Sequence, residues 1–242
     1  MTFEYVSGDG SVRRISTGIM GLDALLYGGI PQRNQVMLAG DAGTGKTLMS
    51  FEMLYRNANV NIPSCYITLE ESRSSLIENI RGAYTYFTDL DDLIQNNVIN
   101  IHEEQAINAF SSREAFQAFV AGLNKAIKSN NSQVVVLDSI TTLRPIAEDD
   151  RVFTRSVNTL IENFRNLGVT SIITMETQSD IMDESIGLFG TFMFDGIIKL
   201  TSEQVKGNTQ YNVSVIKMRR SNHRRASPPY EITSKGFTVF NP

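Results

Sequence analysis

The chain has 242 residues, with 22 Lys plus Arg against 26 Asp plus Glu for a net charge of −4, and 41% of its residues are apolar. That is apolar surface enough for one sizeable core and too much for a disordered chain, with no cationic excess of the kind that coats a protein in nucleic acid. Cys65 is the single cysteine and the two histidines, His102 and His223, lie far apart, which excludes an intrachain disulfide and argues against a Cys/His metal cluster. The length fits one α/β domain. The first residues, MTFEYVSGDGSVRR, form no apolar leader, and no stretch approaches the roughly 18 to 20 apolar residues of a membrane span. The cytosol is the expected compartment, with no membrane partner.

Residues 1–33 read as a lead-in segment. The first predicted strand is the apolar run 35–39, followed by Gly40-Asp41-Ala42-Gly43-Thr44-Gly45-Lys46-Thr47 and a helical pattern over 46–57. This is the spacing G-x-x-x-x-G-K-[ST] between a strand and a helix. Its glycines let the backbone curl into a nest of N–H groups, and the helix N-terminus adds positive potential. Lys46 is expected to reach the outer phosphates of a nucleotide and the Thr47 hydroxyl to bind Mg²⁺. A plain glycine-rich turn is the other reading of this segment.

The next strand, 65–69, ends at Glu70-Glu71 and leads into a helix over 72–84. Hydrolysis needs a group that orients and deprotonates water. Glu70 is preferred for this because it is expected at the strand end, with Glu71 as its partner. An acidic first turn on the helix near Ser72 would account for the same pair. A strand at 98–102 and a helix at 113–129 follow, then the strand 134–137, which ends in Asp138 at the edge where open α/β sheets bind ligands. A hard cation requires oxygen ligands, so Asp138 is the candidate acid for the magnesium, although a strand-terminal Asp or Ser139 can equally cap the next helix.

After a helix at 150–167 and a strand at 171–175, Thr174-Met175-Glu176-Thr177 reads either as a sensor of the outer phosphate or as an ordinary strand end. Beyond a strand at 197–200, residues 211–218 and 237–240 are rich in β-formers, with Gly207, Pro228, Pro229 and Gly236 in intervening loops and no long helix. Strand–helix alternation points to a doubly wound, mostly parallel sheet, and the helix-poor tail to an antiparallel extension of it. The expected organisation is one domain: lead-in 1–33, core 34–200 and β extension 201–242.

Taken together, separated segments resemble the KaiC-like branch of the RecA superfamily. They are Ser16-Thr17-Gly18-Ile19-Met20-Gly21-Leu22-Asp23, Gly28-Gly29-Ile30-Pro31, the 40–47 loop, Thr68-Leu69-Glu70-Glu71-Ser72, Val136-Leu137-Asp138-Ser139-Ile140-Thr141 and Lys217-Met218-Arg219-Arg220-Ser221-Asn222-His223. They span nearly the whole chain in the family's order. The resemblance implies a RecA-like α/β fold and a ring, usually a homohexamer, with ATP bound between neighbouring subunits. It implies Mg²⁺-dependent ATP hydrolysis in a regulatory or signalling role. Glu70 and Glu71 would act on the lytic water, while Lys217, Arg219 and His223 would act in trans on the adjacent subunit's nucleotide.

Arg220 stands where the family motif typically has glycine, which leaves Arg219 and Arg220 open to exchanging roles. With one ATPase unit instead of the clock protein's two, no timing function follows. Residues 217–225 carry five Lys or Arg and no carboxylate, which also suits a solvated loop or a nucleic-acid contact. The runner-up is therefore a RadA-type recombination or repair mediator holding a ring on DNA through loops near 144–155 and 178–195. The second of these, with Asp180, Asp183, Glu184 and Asp195 and no Lys or Arg, disfavours phosphate contact. Ser221 and Ser227 are the nearest hydroxyls for self-phosphorylation, and ordinary turn roles explain them better.

Overall fold

The computed structural model describes residues 12–106, 108–177 and 192–240. Its strands are β1 (Arg14–Ile15), β2 (Ile30–Pro31), β3 (Gln35–Gly40), β4 (Ser64–Thr68), β5 (Ile99–Glu103), β6 (Val134–Asp138), β7 (Thr170–Glu176), β8 (Gly196–Val205), β9 (Asn208–Met218), β10 (Pro229–Thr233) and β11 (Gly236–Val239). Its helices are α1 (Leu22–Leu25), α2 (Lys46–Ala58), α3 (Arg73–Ala83), α4 (Leu90–Gln95), α5 (Arg113–Lys128) and α6 (Asp150–Leu167).

A nine-stranded sheet runs in the order β11, β10, β9, β8, β3, β7, β6, β4, β5. From β8 to β5 every neighbouring pair is parallel, and β9, β10 and β11 continue the sheet antiparallel. Strands covered on both faces are apolar at successive positions, and β3 and β6 are buried throughout. Side-chain alternation divides them between two cores. Val36, Leu38 and Tyr66 face α2 and α3, while Met37, Ala39, Cys65 and Ile67 face α5 and α6. The result is an α/β fold with a mostly parallel central sheet and an antiparallel C-terminal extension.

Local chemistry sets the helix ends. Ser72, Ser112 and Asp149 cap α3, α5 and α6 by accepting from backbone N–H groups, and Gly168 ends α6 at φ 73°. The β8–β9 hairpin closes on Lys206 and Gly207, both at positive φ (52° and 85°), the combination whose twist matches that of the strands.

Four features differ from the sequence expectations. β8 runs on to Val205 beyond the apolar stretch because its outer half is exposed and needs no apolar pattern. The prolines expected in a loop instead lead into β10, where Pro229 is the first strand residue, a position that needs no ladder N–H. β4 stops at Thr68, so Glu70 lies in the bend after the strand and not at its end. The short elements β1, β2, α1 and α4 are additional.

Candidate functional site

The 40–47 loop joins β3 to α2 at the carboxyl edge of the parallel strands. Gly43 and Gly45 take φ values of 78° and 87°. A Cβ on Gly45 would lie 2.6 Å from Ile232 Cδ1 and 2.9 Å from Phe237 Cζ, so the C-terminal hairpin packs directly against the loop. Tyr230 on β10 donates its hydroxyl to the Thr44 carbonyl at 2.5 Å. No side chain caps the start of α2 and its first turn holds no acid, which leaves the helix's electropositive end facing the loop. Lys46 Nζ donates to the carbonyls of Gly40 and Asp41, each at 2.9 Å. Burial lowers the Lys46 pKa from its ordinary value, opposed by the negative charges of Glu176, Asp138, Glu70 and Asp41.

Thr47 Oγ1 donates to Asp138 Oδ2 at 2.7 Å, joining the end of the loop to the end of β6. The same carboxylate accepts from Tyr66 on β4 and from Thr174 on β7. A hydroxyl and a carboxylate in contact form an oxygen-only donor set, which fits a hard divalent cation. Among the described residues no group of three or more His, Cys, Asp or Glu is placed to hold a metal ion.

Glu70 and Glu71 point to different places. Glu70 Oε1 accepts from Ser139 Oγ at 2.5 Å, beside Asp138. Glu71 Oε2 accepts from Ser75 Oγ at 2.8 Å and Asn79 Nδ2 at 2.7 Å, which ties it to α3. Ser139 also accepts from Thr141 N, the capping role open to it from sequence. The 174–177 segment joins the same crevice: the Glu176 N–H donates to Thr141 Oγ1 at 2.8 Å and Thr177 Oγ1 to Asp41 Oδ1 at 3.2 Å.

Lys217 and Arg219 lie elsewhere. Lys217 pairs with Ile197, which pairs with Met37, whereas the loop begins at Gly40 beside Leu200. Lys217 is thus about 10 Å back along the strands and about 10 Å across them from the loop of its own chain. Its ammonium donates to Phe194 O at 2.7 Å, and burial, with Arg219 nearby, lowers its pKa. Arg219 pairs with Asp195 at 3.5 Å, and Asp195 also holds Arg165 at 3.3 Å. His223 follows on the 219–228 loop, half-buried, with Nδ1 3.4 Å from Arg224 O.

Arg220 adopts φ 62°, the left-handed region that glycine occupies freely. Its guanidinium reaches back to Asn34 Oδ1 and to Gln32 O, the latter at 2.6 Å, while Arg219 points to Asp195 and Phe192 O. The two arginines therefore face different partners within the chain. Arg220→Gly loses the guanidinium bonds but relieves the backbone, whereas Arg220→Ala loses the bonds and keeps the strain. Alanine is expected to be the less stable of the two by about 1 kcal/mol. Urea midpoints for both variants measure the difference, and equal midpoints would refute the strain argument.

Arg144 in the first loop considered for DNA is paired with Asp150 at 3.0 Å and lies over the Phe153 ring. Residues 178–191 of the second, with Asp180, Asp183 and Glu184, lie outside the described residues. Ser221 accepts from Arg14 at 2.8 Å and Ser214 donates to Ser227 at 2.8 Å, contacts that tie the 219–228 loop to β1 and β9. No helix among the described residues is long and apolar enough to cross a membrane. Two residues at the site escape sequence reading, Tyr66 and Tyr230. The signal for Tyr66 is a polar tip at the centre of a fully buried strand, and Tyr230 stands in a proline-marked segment with nothing to link it to the loop.

The sequence model of the family described as "ATPase: KaiC" matches residues 15–242. A UPF0273 protein of Pyrococcus furiosus is 30% identical over 241 residues, covering 95% of this chain and 94% of that one. The circadian clock oscillator protein KaiC 1 of a Synechocystis strain is 28% identical over 239 residues, and the chain spans 44% of its length. A KaiC-like protein from Pyrococcus horikoshii OT3, known from its crystal structure, superposes with a TM-score of 0.83 at 26% identity, covering 96% of this chain and all of that one. With its loop, carboxylate and strand order all in the matched region, the chain belongs to the KaiC ATPase family.

Proposed function

We propose that the chain is a Mg²⁺-dependent ATPase that completes its active site between neighbouring copies in a ring, a homohexamer, and serves a regulatory or signalling role in the cytoplasm. The loop 40–47 holds the phosphates, with Lys46 against the outer ones, and Thr47 and Asp138 hold the magnesium. Bound there, magnesium would screen the phosphate charge. Glu70 orients and deprotonates the water, since its carboxylate meets Ser139, the residue after Asp138, while that of Glu71 is tied to α3. Lys217, Arg219 and His223 serve the nucleotide of the adjacent copy, where cations placed at developing phosphoryl charge accelerate transfer.

The observation that carries the shared site is the register: the basic strand end lies toward the amino end of the parallel strands and the phosphate loop at their carboxyl edge. Lys217 and Arg219 thus lie away from the loop of their own chain. The test mixes two inactive variants, Glu70→Gln and Arg219→Ala. Each alone should fail to hydrolyse ATP, while a 1:1 mixture should recover up to about one quarter of wild-type activity, because half of the subunits keep the base and half of their neighbours keep the cation. Light scattering with Mg²⁺ and ATP should give a particle of six chains. A mixture that stays inactive in a mixed ring, or a particle that stays one chain in size, contradicts the shared site.

A further inference from the structure

We propose that Tyr66, with Thr174 opposite it, is a positioning residue for the metal end of the nucleotide site, holding the Asp138 carboxylate against Thr47. This rests on the nucleotide-binding reading above. Tyr66 is fully buried in the middle of β4, between Cys65 and Ile67. Its hydroxyl donates to Asp138 Oδ2 at 2.5 Å, the oxygen that also accepts from Thr47 Oγ1 at 2.7 Å. Thr174 donates to Oδ1. Three hydroxyls from three elements, β4, α2 and β7, therefore converge on one carboxylate that is itself 6% exposed.

Packing does not explain the hydroxyl. The Tyr66 ring lies 5.3 Å from the Phe51 ring, centroid to centroid, and a phenylalanine would fill the same space without burying a polar atom. What the hydroxyl adds is a fixed direction for Asp138. Asp41, Glu70 and Glu176 crowd the same lysine, and an untethered Asp138 would have Lys46 as a competing partner to Thr47. An ionised carboxylate has about four lone-pair sites. Tyr66, Thr47 and Thr174 occupy most of them and fix the side chain. Groups that orient a metal ligand in this way are typically worth about 10- to 100-fold in metal affinity.

The test is Mg²⁺ titration of fluorescent ATP-analogue binding to the full chain, for wild type, Tyr66→Phe and Thr174→Val. In Tyr66→Phe the half-saturating Mg²⁺ concentration should rise about tenfold, while analogue binding without metal stays unchanged. The melting temperature should fall by no more than about 2 to 4 °C. A merely structural role would move the melting temperature and leave the Mg²⁺ midpoint alone, which overturns the proposal. Should Tyr66→Phe fail to fold, Thr174→Val decides: the same rise supports the positioning role and an unmoved midpoint overturns it. A wild-type chain that binds no analogue at any Mg²⁺ concentration overturns the nucleotide reading itself. A wild type that binds, matched by both variants, removes only the positioning role.

Discussion

Lys46→Ala is expected to weaken ATP binding by roughly thirty-fold to a few thousand-fold, the range for truncating one partner of a buried, hydrogen-bonded charge pair. The ammonium is poised for this. It is held on its own loop by the Gly40 and Asp41 carbonyls, and the negative charges of four carboxylates act on it. Those carboxylates make the site hostile to a polyphosphate unless a cation stands between them. Removing Lys46 leaves the incoming charge facing Asp41, Glu70, Asp138 and Glu176 with only backbone N–H groups and any bound metal to offset them. Fluorescent-analogue binding with and without Mg²⁺ measures the effect, and a melting temperature close to wild type separates it from misfolding. Near-normal affinity in a folded variant would mean that the loop does not grip phosphate in the way its sequence implies.

Glu70→Gln should lower single-turnover phosphate release by about 10²- to 10⁴-fold, the usual contribution of a positioned acid–base group, while keeping ATP affinity near wild type. The glutamine preserves size and can still accept from Ser139, so the Glu70–Ser139 contact has a near-isosteric replacement. The charge needed to take a proton from water is gone. Glu71→Gln should have the smaller effect, because its carboxylate is occupied by Ser75 and Asn79 on α3. If Glu71→Gln loses turnover and Glu70→Gln keeps it, the two roles are reversed.

The phosphate loop and Asp138 were legible in the sequence because each couples an unmistakable residue pattern to a strand end. The glycines, the lysine and the acid after Val134–Leu137 define their surroundings without help from distant residues. The strand beginning at Pro229 was not legible. Two adjacent prolines mark a loop by local rules, and the pairing of the segment with β9 on one side and β11 on the other makes it a strand. The α4 segment is too short for helical periodicity to stand out over its few residues. The Tyr66 contact with Asp138 depends on β4 lying beside β6, a neighbourhood that no spacing along the chain reveals. Arg220 is the intermediate case. Its identity was conspicuous against the resemblance, but its left-handed backbone and its hold on Asn34 emerge only in three dimensions.

The phosphate loop and the Lys217–Arg219 strand end face opposite ways along the parallel strands. A twofold pair can use both surfaces only if they share one self-complementary patch, and surfaces that diverge in this way favour contact from head to tail. Such polar stacking has no intrinsic stopping point. The rotation from one copy to the next either brings the last back to the first, giving cyclic point symmetry, or carries on as a screw. In a ring of the kind proposed, the relief of the flanks between those two ends sets how many copies assemble, while the chemistry at the ends sets only what happens at each junction.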